Sequence, residues 1–197
     1  SLVLAGGVIA AVGGPQLAAF SRDLLAPAAF AGSFAAITVL ALATFALTAF
    51  LQVPPVARVG RSQGGRPLAE IMKTPPFITA VAAGSVGYSV MGFVMTATPL
   101  AVIGCGYSIG DAATVIQWHL LGMFAPSFLT GRLTARIGTL TVILIGAALL
   151  LASAAIGVSG TSLVHFWVGL LASGVGWNFM YVGATILLTE NHAPEER

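Results

Sequence analysis

The sequence predicts an all-α, polytopic membrane protein with six transmembrane helices, and three observations carry the prediction. Of the 197 residues 57% are hydrophobic and only 7% are charged, with a mean hydropathy of +0.98. A soluble domain has about 25% charged residues, so this chain has too little polar surface to face water and belongs in a bilayer. The apolar residues gather into six long stretches, 2–20, 28–52, 77–103, 112–131, 139–158 and 162–189. A hydrocarbon core of roughly 30 Å takes about 20 helical residues, which each stretch supplies. The third observation is the placement of positive charge.

The longest connector, 54–76, holds Arg58, Arg61, Arg66 and Lys73. The connector after the fourth stretch holds Arg132 and Arg136, and Arg197 follows the sixth. The opposite face has only Arg22, with Asp23 beside it. Seven of the eight basic residues therefore share one face. Lys and Arg are retained in cytoplasmic loops, so that face is expected to be cytoplasmic, together with both chain ends and the connector 54–76. The expected location is an inner (plasma) membrane. The chain starts at Ser1, and its first apolar run is too long and glycine-studded for a signal peptide. It is expected to be an internal piece of a longer protein.

Several function classes drop out. A net charge of +2 and the lack of basic runs interleaved with aromatics argue against a nucleic-acid partner. Cys105, the single cysteine, excludes an internal disulfide framework and a multi-cysteine metal site. No metal, cofactor or enzymatic activity is expected.

The first stretch carries two small-residue stripes, Gly6–Ala10–Gly13–Leu17 and Gly7–Ala11–Gly14–Ala18, which let a neighbouring helix approach closely. Pro15 lacks a backbone donor and predicts a bend. The second stretch has no charge or amide. In the connector, "VPPVARVGRSQGGRP" reads as a linker near anionic headgroups. "PLAEIMK" reads either as an interfacial turn with Leu68, Ile71 and Met72 inward or as an ordinary solvated loop.

On the third stretch Ser85, Ser89, Gly92, Thr96 and Pro99 recur at helical steps on one face, with Tyr88 beside it. The fourth, "VIQWHLLGMFAPSFLTGRLTAR", sets Gln117, His119 and Pro126 inside an apolar run. Gln117 and His119 are two residues apart and so point to nearly opposite sides. Thr114, Gln117 and Phe124 form one face; His119, Gly122, Pro126 and Thr130 form the other. Pro126 frees the Gly122 carbonyl and makes either a flexible joint or a static kink. His119 lies about 12 Å below the end near Asp111. It either carries protons, as intramembrane ionisable groups can, or bonds a neighbouring helix as a neutral ring. The fifth stretch is free of charge and amide. On the sixth, Gly174, Asn178, Tyr181 and Thr185 share a face, with Trp177 beside them. An unpartnered amide in hydrocarbon costs roughly 4–8 kcal/mol, so Asn178 faces either a wet cavity or a hydrogen-bonding neighbour helix.

Three segments resemble the major facilitator superfamily. "AAVGGPQLAA" resembles the G-x-x-x-G-P-x-x-G-G motif on the fifth helix of its antiporters: Gly14 and Pro15 match, while Ala10, Ala18 and Ala19 stand where glycines are usual. "GRLTARIG" resembles the second copy of the superfamily's G-x-L-x-D-R-x-G-R loop, between helices eight and nine. Gly131, Leu133, Arg136 and Gly138 match; Ala135 replaces the acidic residue and Thr139 the trailing basic one. "GVGWNFMYVGATILLTE" with "PEER" resembles the tenth helix and its exit.

The resemblance covers the whole chain and implies helices five to ten of a twelve-helix bacterial transporter. Residues 1–53 would end the first half, 54–76 would join the halves, and 77–197 would open the second. In this family the seventh and tenth helices line the central cavity, the fifth and eighth flank it, and the sixth and ninth face lipid. The resemblance thus implies secondary transport of a small solute by alternating access, with proton-coupled antiport as one form. It implies a cavity of Tyr88, Ser89, Thr96, Gln117, Trp177, Asn178 and Tyr181, with His119 as a candidate proton site. Gly14, Pro15, Pro126, Gly131, Arg132 and Arg136 take packing or gating roles. Arg132 and Arg136 would pair at the gate with helix-end carbonyls or an acid, or simply obey the charge bias of the loops. The implied partners are a small-molecule substrate, the lipid bilayer, the remaining helices of the same chain and, in the coupled form, protons.

Two alternatives stand beside transport. One is a non-transporting scaffold derived from a transporter. The other is an intramembrane serine protease, suggested by "GVSG" (Gly157 to Gly160) with Ser159 and His165. Both of those residues sit near the start of one span, a poor geometry for a shared proton.

Overall fold

The computed structural model describes residues 2–52 and 66–191. Arg58, Arg61 and Arg197, and the connector up to residue 65, lie outside them. Among the described residues eight helices follow in order: α1 Leu2–Ser21, α2 Ala31–Ala49, α3 Leu68–Ile71, α4 Pro75–Gly104, α5 Ile109–Phe124, α6 Ser127–Ile137, α7 Thr139–Ser159 and α8 Leu163–Glu190. There is no strand among the described residues. The chain is an all-α polytopic membrane protein. α2, α4, α7 and α8 are each long and apolar enough to cross a bilayer, and α5 with α6 forms a span bent by 43°. α1 is an apolar helix of 20 residues. Of the six expected spans, four are therefore single helices of spanning length, one is broken at its proline, and the first is the 20-residue α1.

Local chemistry sets the ends. α4 begins with Pro75 in its first turn, where a missing N–H removes no helical bond. α5 begins with a capping box: Ser108 Oγ accepts the Asp111 N–H at 3.1 Å, and the Asp111 carboxylate accepts the Ser108 N–H at 2.9 Å. Gly138 turns the chain from α6 into α7 at φ 87°, a conformation that strains any residue with a β-carbon.

α8 is the central rod, with α7, α5 and α4 packed around it. α7 lies closest, because Gly146 and Gly176 face each other. A β-carbon on Gly146 would stand 2.7 Å from the Gly176 carbonyl oxygen, and one on Gly176 would stand 2.8 Å from that of Gly146. Such small-residue contacts are how helices pack in lipid, where no hydrophobic effect drives them together. One buried cluster joins Ala80 and Ala83 of α4, Ile143 and Leu150 of α7, and Met180 and Ala184 of α8. A second joins Val102, Ala112, Val115 and Leu170.

α1 packs on α5, and α2 on α1. Ser33 of α2 donates to the Ala18 carbonyl at 2.8 Å. Phe34, Ile37, Leu40, Phe45 and Leu47 of α2 are exposed, as are Leu140, Leu144 and Leu151 on the outer side of α7. Those surfaces carry no charge or amide, as the sequence suggested for the second and fifth stretches, and the exposed Thr38, Thr44 and Thr48 of α2 donate to carbonyls of their own helix. The expected interfacial turn forms, but only in part. α3 buries Ile71, while Leu68 and Met72 are exposed, because one four-residue turn reaches the bundle with a single side chain.

Candidate functional site

The polar and aromatic residues of α4 and α8 meet halfway along both helices. Tyr88 lies roughly 20 Å from the α4 start, and Trp177 about 20 Å from either end of α8. Trp177 and Tyr181 are one turn apart and stack with ring centroids 4.8 Å apart and planes 9° from parallel. Tyr88 closes on them edgewise, 6.2 Å from Trp177 and 6.1 Å from Tyr181. The three rings are unequally open. Trp177 is 8% exposed, Tyr181 41% and Tyr88 56%. A groove of about 300 Å³ runs beside Tyr181 between Gly84 and Ser85 of α4 and Ala184 and Thr185 of α8. Ser89 and Thr96 are exposed on α4, and Thr96 donates to the Gly92 carbonyl at 2.9 Å.

Two residues expected on this face are elsewhere. Trp177 is buried beneath Tyr88 and Tyr181. Asn178 is 1% exposed and its carboxamide is bonded on every side. It donates to the Met123 carbonyl at 2.6 Å and to Ser127 Oγ at 2.5 Å, and accepts from Thr130 Oγ at 2.7 Å. One residue along a helix turns the side chain by about 100°, which moves Asn178 off the α4 side and onto α5 and α6. It is an interhelical clamp rather than a cavity wall. Pro126 lies between its partners, at the 43° bend.

Gln117 and His119 point apart, as their spacing requires. Gln117 accepts a hydrogen bond from Gln16 Nε2 of α1 at 2.7 Å. His119 is fully buried against α8, with Nδ1 2.9 Å from the Leu170 carbonyl. A carbonyl only accepts, so Nδ1 carries the hydrogen. His119 Nε2, Ser173 Oγ and Trp177 Nε1 are buried without a partner among the described residues. α5 fits so closely because Gly174 is opposite: a β-carbon there would strike the His119 carbonyl.

Gly14 and Pro15 line an apolar cavity of about 580 Å³ with Ala10, Ala18, Leu100 and Ile116. A β-carbon on Gly14 would meet nothing, and the same holds for Gly131. Neither glycine is in a close contact among the described residues. Arg132 and Arg136 are exposed and have no ion-pair partner among them. They edge a groove of about 350 Å³ with Leu129, Leu133 and Phe179.

The sequence reading passed over Gln16, although an amide inside an apolar run was its signal. It also passed over Ser127 and Thr130 as partners of Asn178, which no spacing in one helix reveals. The protease arrangement is not formed. Ser159 donates to the Ile156 carbonyl at 2.7 Å, and His165 Nδ1 is paired instead with Ser162 Oγ at 2.6 Å. No metal-binding group of His, Cys, Asp and Glu occurs among the described residues.

Comparison with known proteins adds to this geometry. The chain is 45% identical over 199 residues to the riboflavin transporter RfnT of Brucella anthropi, matching along all of its own length and 50% of that protein. It is 36% identical over 104 residues to the uncharacterized MFS-type transporter YdeG of Bacillus subtilis, covering 52% of this chain and 24% of that one. The MFS-type transporter YddS of the same organism is 32% identical over 110 residues, covering 55% and 25%. The chain spans about half the length of the first of these relatives and about a quarter of the others. No family model and no solved structure matches it.

Proposed function

Because the chain belongs to the major facilitator superfamily, we propose that it forms part of a secondary transporter that moves a small, neutral, flat heteroaromatic solute of the riboflavin type by alternating access. The single observation that carries this reading is the concentration of rings and hydroxyls at mid-height on the facing sides of α4 and α8, while α2 and the outer side of α7 carry no charge, amide or phenol and the α2 threonines are bonded back to their own helix. Transporter sites lie near the bilayer midplane, between repeats. A relative named as a riboflavin transporter and matched along this entire chain supports the substrate class.

In this reading α1 and α2 end one half of the protein, 54–76 is the cytoplasmic joint, and α4 to α8 open the other half. Tyr88, Ser89, Thr96 and Tyr181 face the solute, with Trp177 behind them. Gln16 and Gln117 join the halves, and the packing around Gly14 and Pro15 changes as they rock. Arg132 and Arg136 act at the cytoplasmic gate, paired with groups on other helices. The membrane is the plasma membrane. A scaffold built only of apolar rods would have no use for the open phenols, and no observation favours the protease.

The test is flux in vesicles holding the full-length protein. Riboflavin is expected to cross saturably, faster than in empty vesicles, with its direction and pH dependence read from imposed gradients. Flux equal to that of empty vesicles, for riboflavin and for a panel of small neutral solutes, overturns the reading.

A further inference from the structure

We infer that Tyr181, backed by Trp177 and edged by Tyr88, is the stacking platform for the ring of the solute, and that the Ser85 and Thr185 hydroxyls beside it take its polar chain. The inference deepens the transport reading above and rests on it for the solute class.

Three observations converge on this spot. The first is the stack itself. Trp177 and Tyr181 lie one turn apart on α8 with their rings stacked, 9° from parallel, and the inner ring is buried while the outer one is 41% exposed. A buried ring behind an open one holds that open ring in a fixed plane, so a flat ligand meets a surface that is already oriented and loses little freedom by lying on it. Tyr88 sits at 54° to Tyr181, a wall at the edge of the platform rather than a cover over it.

The second observation is the state of the phenols. Neither the Tyr88 nor the Tyr181 hydroxyl has a hydrogen-bond partner among the described residues, although both rings lie at the middle of long apolar helices. A hydroxyl left unpaired in hydrocarbon is costly. Tyrosine at a membrane surface belongs at the headgroup level, where its hydroxyl finds water. Two phenols at mid-height point instead to a surface that is wet or filled by something that can accept and donate.

The third observation is the groove. It continues the platform along the same two helices, about 300 Å³ between Ser85 and Thr185, with Gly84 opening the α4 side. Thr185 is one turn beyond Tyr181, so its side chain falls on the platform's face. Its hydroxyl donates to the Tyr181 carbonyl at 2.9 Å, which leaves its lone pairs free to accept. An aromatic floor followed by hydroxyls fits a molecule that is a fused ring at one end and a polyol at the other.

The experiment uses the full-length protein in detergent micelles and three probes: lumiflavin (the ring alone), riboflavin (ring and chain) and ribitol (chain alone). Stacking on tyrosine and tryptophan quenches flavin emission, which separates the ring's binding from any other. Lumiflavin and riboflavin are expected to be quenched, and ribitol is expected to compete with neither below millimolar concentration. Tyr181→Leu is expected to weaken both flavins at least tenfold, while Tyr181→Phe and Tyr181→Trp retain quenching. Thr185→Val is expected to weaken riboflavin several-fold and leave lumiflavin unchanged. Unaltered flavin affinity in Tyr181→Leu overturns the platform, even if riboflavin transport is confirmed. That result would also fit a further helix of the same chain covering the rings. Conversely, a protein that does not bind riboflavin but binds another fused heteroaromatic, such as a pterin, in a Tyr181-dependent way keeps the platform and removes riboflavin from the reading above. Should Tyr181→Leu fail to fold, judged by its unfolding temperature in the same micelles, Tyr88→Leu with Tyr88→Phe applies the same criterion to the edge wall, where several-fold weakening is expected and none overturns the assignment.

Discussion

Asn178 of α8 donates to the Met123 carbonyl at 2.6 Å, three residues before the proline that breaks the neighbouring span. The same amide reaches Ser127 and Thr130 beyond the break. One side chain therefore ties α5 and α6 to α8 across the bend, where Pro126 has removed a backbone donor. Asn178→Leu is expected to destabilise the folded protein by about 1–3 kcal/mol, since it strands buried polar partners. Thr130→Val should cost less in the Asn178→Leu background than in the unaltered protein, by a coupling of about 0.6 kcal/mol and at most about 1.7. Unfolding of the two single variants and the double variant in micelles measures the coupling.

The glycine contacts give a prediction of opposite character, because an atom is added rather than removed. Gly146→Ala would push on the Gly176 carbonyl and on Met180, and both obstacles include backbone. Gly14→Ala meets empty space. The first substitution is expected to cost about 1–3 kcal/mol through overpacking, and the second close to nothing in stability. Thermal unfolding of the two variants side by side checks the contrast. Equal behaviour would mean that α7 and α8 are not held at their observed spacing.

Charge scarcity and span length made the fold legible, since a bilayer admits few architectures. The bend at Pro126 and the opposed directions of Gln117 and His119 also followed from one helix considered alone. Asn178 did not. Its placement depends on how far α8 is rotated against α5, and Gly174 settles that by admitting the His119 backbone. Periodicity orders the faces of a helix but does not say which neighbour each face meets. The same gap explains Trp177, grouped by spacing with open residues yet covered by Tyr88 from another helix. Pairing between helices is a property of two sequences at once, and a single-strand reading sees one of them.

Gln16 and Gln117 are joined at 2.7 Å between α1 and α5, at a point that is open rather than buried. A lone amide pair at a joint between helices contributes modestly, about 0.6 kcal/mol on average within membranes. Gln16→Leu and Gln117→Leu are each expected to leave global unfolding nearly unchanged. If the halves part here during the cycle, each should alter the transport rate of the full-length protein by about twofold to tenfold, and the double variant should change it no further than either single one. Additive rate changes would show that the two amides act independently.

His119 gives the last prediction. Its Nδ1–H reaches the Leu170 carbonyl at 2.9 Å, and the ring is fully enclosed between α5 and α8. That bond needs only a neutral ring, and no carboxylate is paired with Nε2 among the described residues. A proton carrier must meet water or another titratable group on both sides of its cycle. This ring meets helix backbone on one side and has no hydrogen-bonding neighbour on the other among the described residues. His119→Gln in the full-length protein is therefore expected to keep whatever dependence of flux on a pH gradient the unaltered protein has, and to lose about 0.5–1.5 kcal/mol of stability with the bond. The measurement is uptake into vesicles with and without the gradient, beside an unfolding curve. Gradient dependence that vanishes in a folded variant, while exchange without a gradient persists, would make His119 the carrier and require α5 and α8 to separate during transport.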